Sequence, residues 1–327
     1  MVSIAVVNQK GGVGKTTVAL GLASAAAASG LRVLVVDLDP QSNASTGLGV
    51  WDTEVTVDHA LASDQPGVLR SVVTSGRWPT TDGELVPDVA ASSPQLAQRE
   101  PQLANDPIGA QHRLQVAMAG IDHDLVLIDC PPSLGLLTVN GLFAADRALV
   151  VTEPGAWASD GVAQILRTVD RVGARRPEGL GVAGIVVNRL GRTRDARYWY
   201  EQLVETYGDQ VLPPVHLRAA IPEAAAQSLP IHGMGTRAGA AEAAAEFDAL
   251  LAAILGLPTE SPEPGPAVVV ADDPEPADPA LDSLAPPALV TAEVPGATPS
   301  PSSESPLNGV VDAAVRPATV AQPSAES

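Results

Sequence analysis

A doubly wound α/β domain with a mainly parallel sheet is the fold class this sequence predicts, and three observations predict it. Apolar, β-branched runs alternate with helix-forming runs along the first 257 residues. Several of these runs, such as Val33-Leu34-Val35-Val36 and Leu125-Val126-Leu127-Ile128, are apolar without alternation, as in strands buried on both faces. The first run leads into a glycine loop that opens a helix, the strand–loop–helix context of a phosphate site.

The opening strand is Val2–Val7, and after it comes Lys10-Gly11-Gly12-Val13-Gly14-Lys15-Thr16-Thr17. Lys10 and Lys15 are the only lysines among 19 basic residues. Arginine supplies the ordinary positive charge, so the lysines mark places where a compact ammonium suits a phosphate better than a planar fork. In such a loop the N–H groups converge on phosphate, Lys15 reaches the β/γ oxygens, and the Thr16 hydroxyl holds Mg²⁺. The strict template G-x-x-x-x-G-K-[ST] asks for glycine where Gln9 stands, so this is a deviant phosphate loop with a second lysine at its start. A helix is expected over Thr16–Ser29, stopped by Gly30.

The second strand, Arg32–Asp37, runs into Asp37-Leu38-Asp39-Pro40-Gln41-Ser42-Asn43. Carboxylates at i and i+2 point the same way at a strand's carboxyl edge, where open α/β sheets bind ligands, or else they cap the next element. The stretch Asp64–Pro107 contains six prolines and is the least regular; Pro87 demotes its one strand candidate, Leu85–Val89. Helix is expected over Gly109–Ala119. The strand Asp124–Asp129 then delivers a single acid, Asp129, ahead of Cys130-Pro131-Pro132-Ser133, and an acid so placed orients the water shell of Mg²⁺. Helix Leu134–Ala144, strand Arg147–Thr152, helix Ser159–Val172 and strand Leu180–Val187 follow. The last of these ends in Asn188, whose amide either pairs with a purine edge or forms a turn. Helix is expected at Asp195–Tyr207, strand at Gln210–Val215 and helix at Ala238–Leu255; no internal repeat is visible.

Cys130 is the only cysteine, which excludes disulfides within the chain and suits a reducing cytosol. Val2–Val7 is too short for the core of a signal peptide, and no run of 18 apolar residues offers a membrane span, so a cytoplasmic protein is expected. The net charge of −19 argues against nucleic acid only until its distribution is read. Residues 258–327 hold eleven acidic residues, one basic residue (Arg316), fifteen of the thirty prolines and no aromatic. Such a segment cannot bury enough apolar surface to offset its ordering entropy, so a disordered tail is expected after a domain over 1–257. Within the domain, Arg189, Arg192, Arg194 and Arg197 fall within nine residues, and Arg218 is available to join them. They form either a phosphate-backbone face for DNA or a solvated helix face.

Lys10 to Thr17, Asp37-Leu-Asp-Pro-Gln41 with Asn43, and Asp129-Cys-Pro-Pro-Ser133 together resemble the ParA/MinD group of deviant Walker-A ATPases. Asn8-Gln9-Lys10 before the loop and Leu136-Leu-Thr-Val-Asn140 are similar to the ParA branch, which partitions plasmids and chromosomes. The resemblance covers roughly 1–255, extending loosely through Arg218-Ala-Ala-Ile221, Glu223-Ala224 and Pro230-Ile231. It implies a P-loop NTPase fold, ATP and Mg²⁺ as cofactors, and slow hydrolysis. Gly11, Gly12, Val13, Gly14 and Lys15 would bind the β/γ phosphates, Thr16 would ligate Mg²⁺, and Thr17 would support the α-phosphate. Asp129 would hold Mg²⁺ through water, Asn188 would meet the base, and Asp39 would position the attacking water. Lys10 would cross an ATP-sandwich homodimer to touch the partner's nucleotide. The resemblance further implies non-specific DNA binding by the dimer, a centromere-binding ParB-like partner that stimulates hydrolysis, and a nucleoid-associated location. The alternatives are a ParA-like ATPase positioning a protein cargo and a MinD-like spatial regulator. The latter ends in a basic amphipathic helix, whereas this chain ends in an acidic, Pro-rich segment, so no membrane partner is expected. An amidotransferase-type biosynthetic relative is remoter, given the Asp-Pro-Gln and Asp-Cys-Pro-Pro runs.

Overall fold

The computed structural model describes residues 1–80 and 85–257. The tail expected over 258–327 lies outside the described residues.

Among the described residues seven strands form one sheet: β1 (Val2–Val7), β2 (Val33–Asp37), β3 (Val73–Ser75), β4 (Asp88–Ala90), β5 (Leu125–Asp129), β6 (Arg147–Thr152) and β7 (Gly181–Val187). Their order is β3-β4-β2-β5-β1-β6-β7, and every pairing is parallel except β3 with β4. The helices are α1 (Lys15–Ala28), α2 (Asn43–Gly47), α3 (Val57–Ala62), α4 (Leu96–Leu103), α5 (Arg113–Ala117), α6 (Leu136–Ala144), α7 (Ala158–Gly173), α8 (Arg194–Tyr207), α9 (Ala220–Ala226) and α10 (Ala240–Leu255).

The apolar strands are buried on both sides, as their composition requires. Ile4, Val6, Val33, Val35, Leu125 and Leu127 pack into one core with α1, α2, α9 and α10. Ala5, Val7, Leu34, Val36, Val126 and Ile128 pack into a second core with α3 to α8. This is the doubly wound architecture. Helix α1, rich in the strongest helix former, is buried from Val18 to Ala26. Gly21 within it costs helix propensity but gains close packing, since a Cβ there would sit 2.2 Å from the Phe247 ring of α10. Phe247 is fully buried, and truncating it to alanine would cost about 3–5 kcal/mol.

Three local expectations are corrected. Gln210–Val215 forms no strand: Val211 makes an isolated bridge to Ile185, and Pro213 and Pro214 have no N–H with which to continue a ladder. Helix at Gly109–Ala119 shrinks to α5. The stretch Asp64–Pro107 is more regular than its prolines suggest, holding β3, β4 and α4, with β4 starting one residue after Pro87.

The order also explains where a site forms. The chain crosses from β1 to β2 over α1, and β5 later fills the gap between them. The carboxyl ends of β1, β2 and β5 therefore lie side by side, with Val6 and Asp37 both opposite Asp129. That is the crevice in which open parallel sheets take ligands.

Candidate functional site

The loop after β1 is shaped by glycine. Gly12 and Gly14 have φ of 84° and 88°, a left-handed backbone that side chains resist. At Gly14 space forbids a side chain as well, because a Cβ would lie 2.1 Å from Asn188 Nδ2. None of the seven consecutive N–H groups from Gly11 to Thr17 donates to a protein acceptor among the described residues. A run of free donors at the start of α1 suits an anion such as phosphate.

Charged side chains converge on this run. Lys15 is 6 % exposed, and burial pulls its pKa below the usual lysine range while Asp129, Cys130 and Asp39 oppose the shift. Thr16 Oγ1 donates to Asp129 Oδ2 at 2.6 Å. The other oxygen, Asp129 Oδ1, is buried without a hydrogen-bond partner. Burial first, then the neighbouring charge of Asp37, raises the pKa of Asp129, with the Thr16 hydrogen bond and Lys15 opposing. A buried carboxylate oxygen without a donor beside a threonine hydroxyl suits a hard divalent cation, so Thr16 and Asp129 fit Mg²⁺.

The two acids of the second motif separate. Asp37 is fully buried; its carboxylate accepts from Ser45 N (2.8 Å), Ser45 Oγ (2.7 Å) and Asp39 N (3.1 Å), which fixes α2 beneath the site. Burial raises its pKa, opposed by the Ser45 hydrogen bonds. Asp39 instead lines an open cleft of about 490 Å³ together with Gly12, Gly14, Lys15, Thr16 and Thr17. Its Oδ1 accepts from Gln41 N at 3.0 Å. Lys10 stands at the outer end of the loop, its side chain 66 % exposed and its Nζ 2.6 Å from Glu153 Oε1.

Asn188 follows β7 and is buried, with Nδ2 donating to Val13 O at 2.8 Å. Arg189 also turns to the loop, donating from Nη1 to Gly12 O at 2.7 Å and lining the cleft. Arg192, Arg194 and Arg197 are exposed at the start of α8, where Thr193 caps the helix by accepting from Ala196 N. Arg218 is engaged by Glu246 Oε1 at 2.5 Å, and His216 Nδ1 lies 2.9 Å from the same oxygen. The five arginines thus divide into three positions. Sequence reasoning missed Gln41, Asn43 and Thr46 as cleft residues, although the Asp-Pro-Gln run was the signal, and it missed Ala225 and Ala226 of α9, which carry no signal.

The family described as AAA domain (AAA_31) matches residues 1–181. The chain is 40% identical over 210 residues to the chromosome-partitioning ATPase Soj of Thermus thermophilus, covering 64% of this chain and 78% of that protein. To the chromosome partitioning protein ParA of Caulobacter vibrioides it is 36% identical over 218 residues, 65% of this chain and 79% of that one. Among solved structures, cobyrinic acid a,c-diamide synthase of Mycobacterium smegmatis, with bound ATP analogue and magnesium, is similar at a TM-score of 0.59 and 31% identity. That match covers 70% of this chain and 91% of the other.

Proposed function

The chain belongs to the ParA/Soj group of deviant Walker-A P-loop ATPases, and from that premise we propose that it hydrolyses ATP slowly, dimerises around it and partitions DNA. One observation carries the nucleotide part: Gly12, Gly14, Lys15, Thr16 and Thr17 of the free-amide run line one cleft, and the Thr16 hydroxyl bonds the buried Asp129, whose other oxygen has no partner.

Lys15 and the loop amides would hold the β/γ phosphates, and Thr17 the α-phosphate. Thr16 and, through water, Asp129 would hold Mg²⁺, which neutralises charge during in-line phosphoryl transfer. Asp39, at the cleft wall rather than under the loop, orients the attacking water. Positioning and charge neutralisation are most of what this reaction asks of a protein. Lys10 completes a second protomer's site. Its tie to Glu153 is a surface ion pair, worth about 1 kcal/mol or less, so a partner's phosphates can displace it.

The DNA face is assigned to Arg192, Arg194 and Arg197, which are exposed, adjacent and backed by the positive end of α8. A dimer doubles the face, so ATP controls DNA affinity. A ParB-like stimulating partner, a cytoplasmic nucleoid-associated location and a separate tail after residue 257 belong to the same proposal.

The deciding experiment is a gel-shift series with ATP and Mg²⁺ on unrelated duplexes at several salt concentrations. Equal binding to all sequences, lost steeply as salt rises, is expected. No DNA affinity at low salt would overturn the partition reading in favour of a protein cargo.

A further inference from the structure

We infer that Arg189 supports the phosphate loop instead of the DNA face, and that with Asn188 it forms a clasp positioning the amides that take the nucleotide's phosphates. This rests on the nucleotide reading above. Arg189 has φ of 56°, a left-handed conformation uncommon outside glycine. The backbone on either side stays laddered: Asn188 N donates to Thr152 O at 2.8 Å and Leu190 N to Val215 O at 3.0 Å. The reversal is thus confined to one residue, and that residue's guanidinium lies on Gly12 O. Strain held at one position by its surroundings commonly marks a functional contact.

The clasp grips consecutive carbonyls. Arg189 Nη1 takes Gly12 O, and Asn188 Nδ2 takes Val13 O, 175 positions away in sequence. A trans peptide is planar, so its carbonyl and its N–H point in opposite directions. Holding Gly12 O therefore aims the Val13 N–H away from the clasp, and holding Val13 O does the same for the Gly14 N–H. Both N–H groups belong to the partnerless run. The two side chains fix donors in place before an anion arrives, so little reorganisation remains to be done on binding. An arginine reaching for DNA would need that guanidinium free.

The test uses the full chain. A fluorescent ATP analogue is titrated with Mg²⁺, inorganic tripolyphosphate serves as competitor, and DNA binding at saturating ATP is followed across a salt series. Arg189→Ala is expected to weaken both phosphate ligands about tenfold, the effect of losing one charge-assisted hydrogen bond. Tripolyphosphate has neither base nor ribose, so an equal loss on it places the effect at the loop. The DNA salt slope should stay at the wild-type value. Arg189→Lys keeps one donor and should bind only about threefold more weakly. Arg189→Gly accepts the left-handed backbone without strain, so it separates the lost contact from any folding defect and should match the alanine variant. If the alanine and glycine variants keep wild-type affinity for both phosphate ligands, or flatten the salt slope by about one, the inference falls. A wild-type chain that binds neither ligand would overturn the nucleotide reading itself, a distinct result.

Discussion

The two basic segments of this domain hold their charge in opposite ways. In the loop over residues 10–17, Lys15 is buried among Asp129, Asp39 and a run of free amides. In the segment over residues 192–197, three arginines stand in solvent at a helix start. A buried ammonium has few possible partners: Asp129 and Asp39 offset part of the desolvation of Lys15, and a ligand of matching shape and charge would offset more. Exposed guanidinium groups act additively on any polyanion, each screened by salt. The first arrangement should fail all at once and the second by degrees.

Lys15→Ala is the severest way to break the first region. Binding of a fluorescent ATP analogue should fall more than about 100-fold, since the phosphates lose their one buried cation. Near-normal binding would remove Lys15 from the site. Asp39→Ala sharpens the division of labour within the cleft: nucleotide binding and the ATP-dependent dimer should persist on size exclusion, while steady-state turnover drops about 100-fold or more. Turnover at the wild-type rate would contradict its role. For Lys10→Ala the balance reverses, with nucleotide binding largely kept and the dimer lost; a dimer of normal stability in the presence of ATP would show that Lys10 does not cross the interface.

The second region is tested by slope rather than by loss. Arg192→Ala with Arg194→Ala should weaken every duplex alike and flatten the log–log salt dependence by about 2, with ATP binding intact. A change confined to particular sequences would point to base contacts instead. The smallest effect is expected from deleting residues 258–327. That removes eleven acidic residues and one arginine, so DNA affinity should rise less than about tenfold at low salt and hardly at all at high salt. A sharp fall would mean that the tail contributes to binding.

The site was largely readable where its parts are local. Gly12, Gly14, Lys15 and Thr16 lie within five residues, so their spacing specifies their geometry, and Asp129 is readable because it is the one acid at the carboxyl end of an apolar strand. The short helices α2, α3, α4 and α9 were not readable. Five to eight residues give no clear period, and what holds them lies outside each helix: Asp37 fixes α2 through Ser45, and Ser228 Oγ donates to Thr46 O across to the α9 side. Asp37 and Asp39 look equivalent as sequence, yet one caps a helix and the other walls the cleft.

By itself the sequence determined the strands buried on both faces and the glycine loop that opens α1, because each depends on neighbours in the chain and on backbone rules that act over a few residues. Only the tertiary structure decided that β5 lies between β1 and β2, that Asp37 turns inward, that Arg218 is taken by Glu246, and that Asn188 and Arg189 grip the loop. These partners come from other segments of the chain, 28 residues away for Arg218 and Glu246 and 175 for Asn188 and Val13, and no local pattern encodes which of several like charges will meet them.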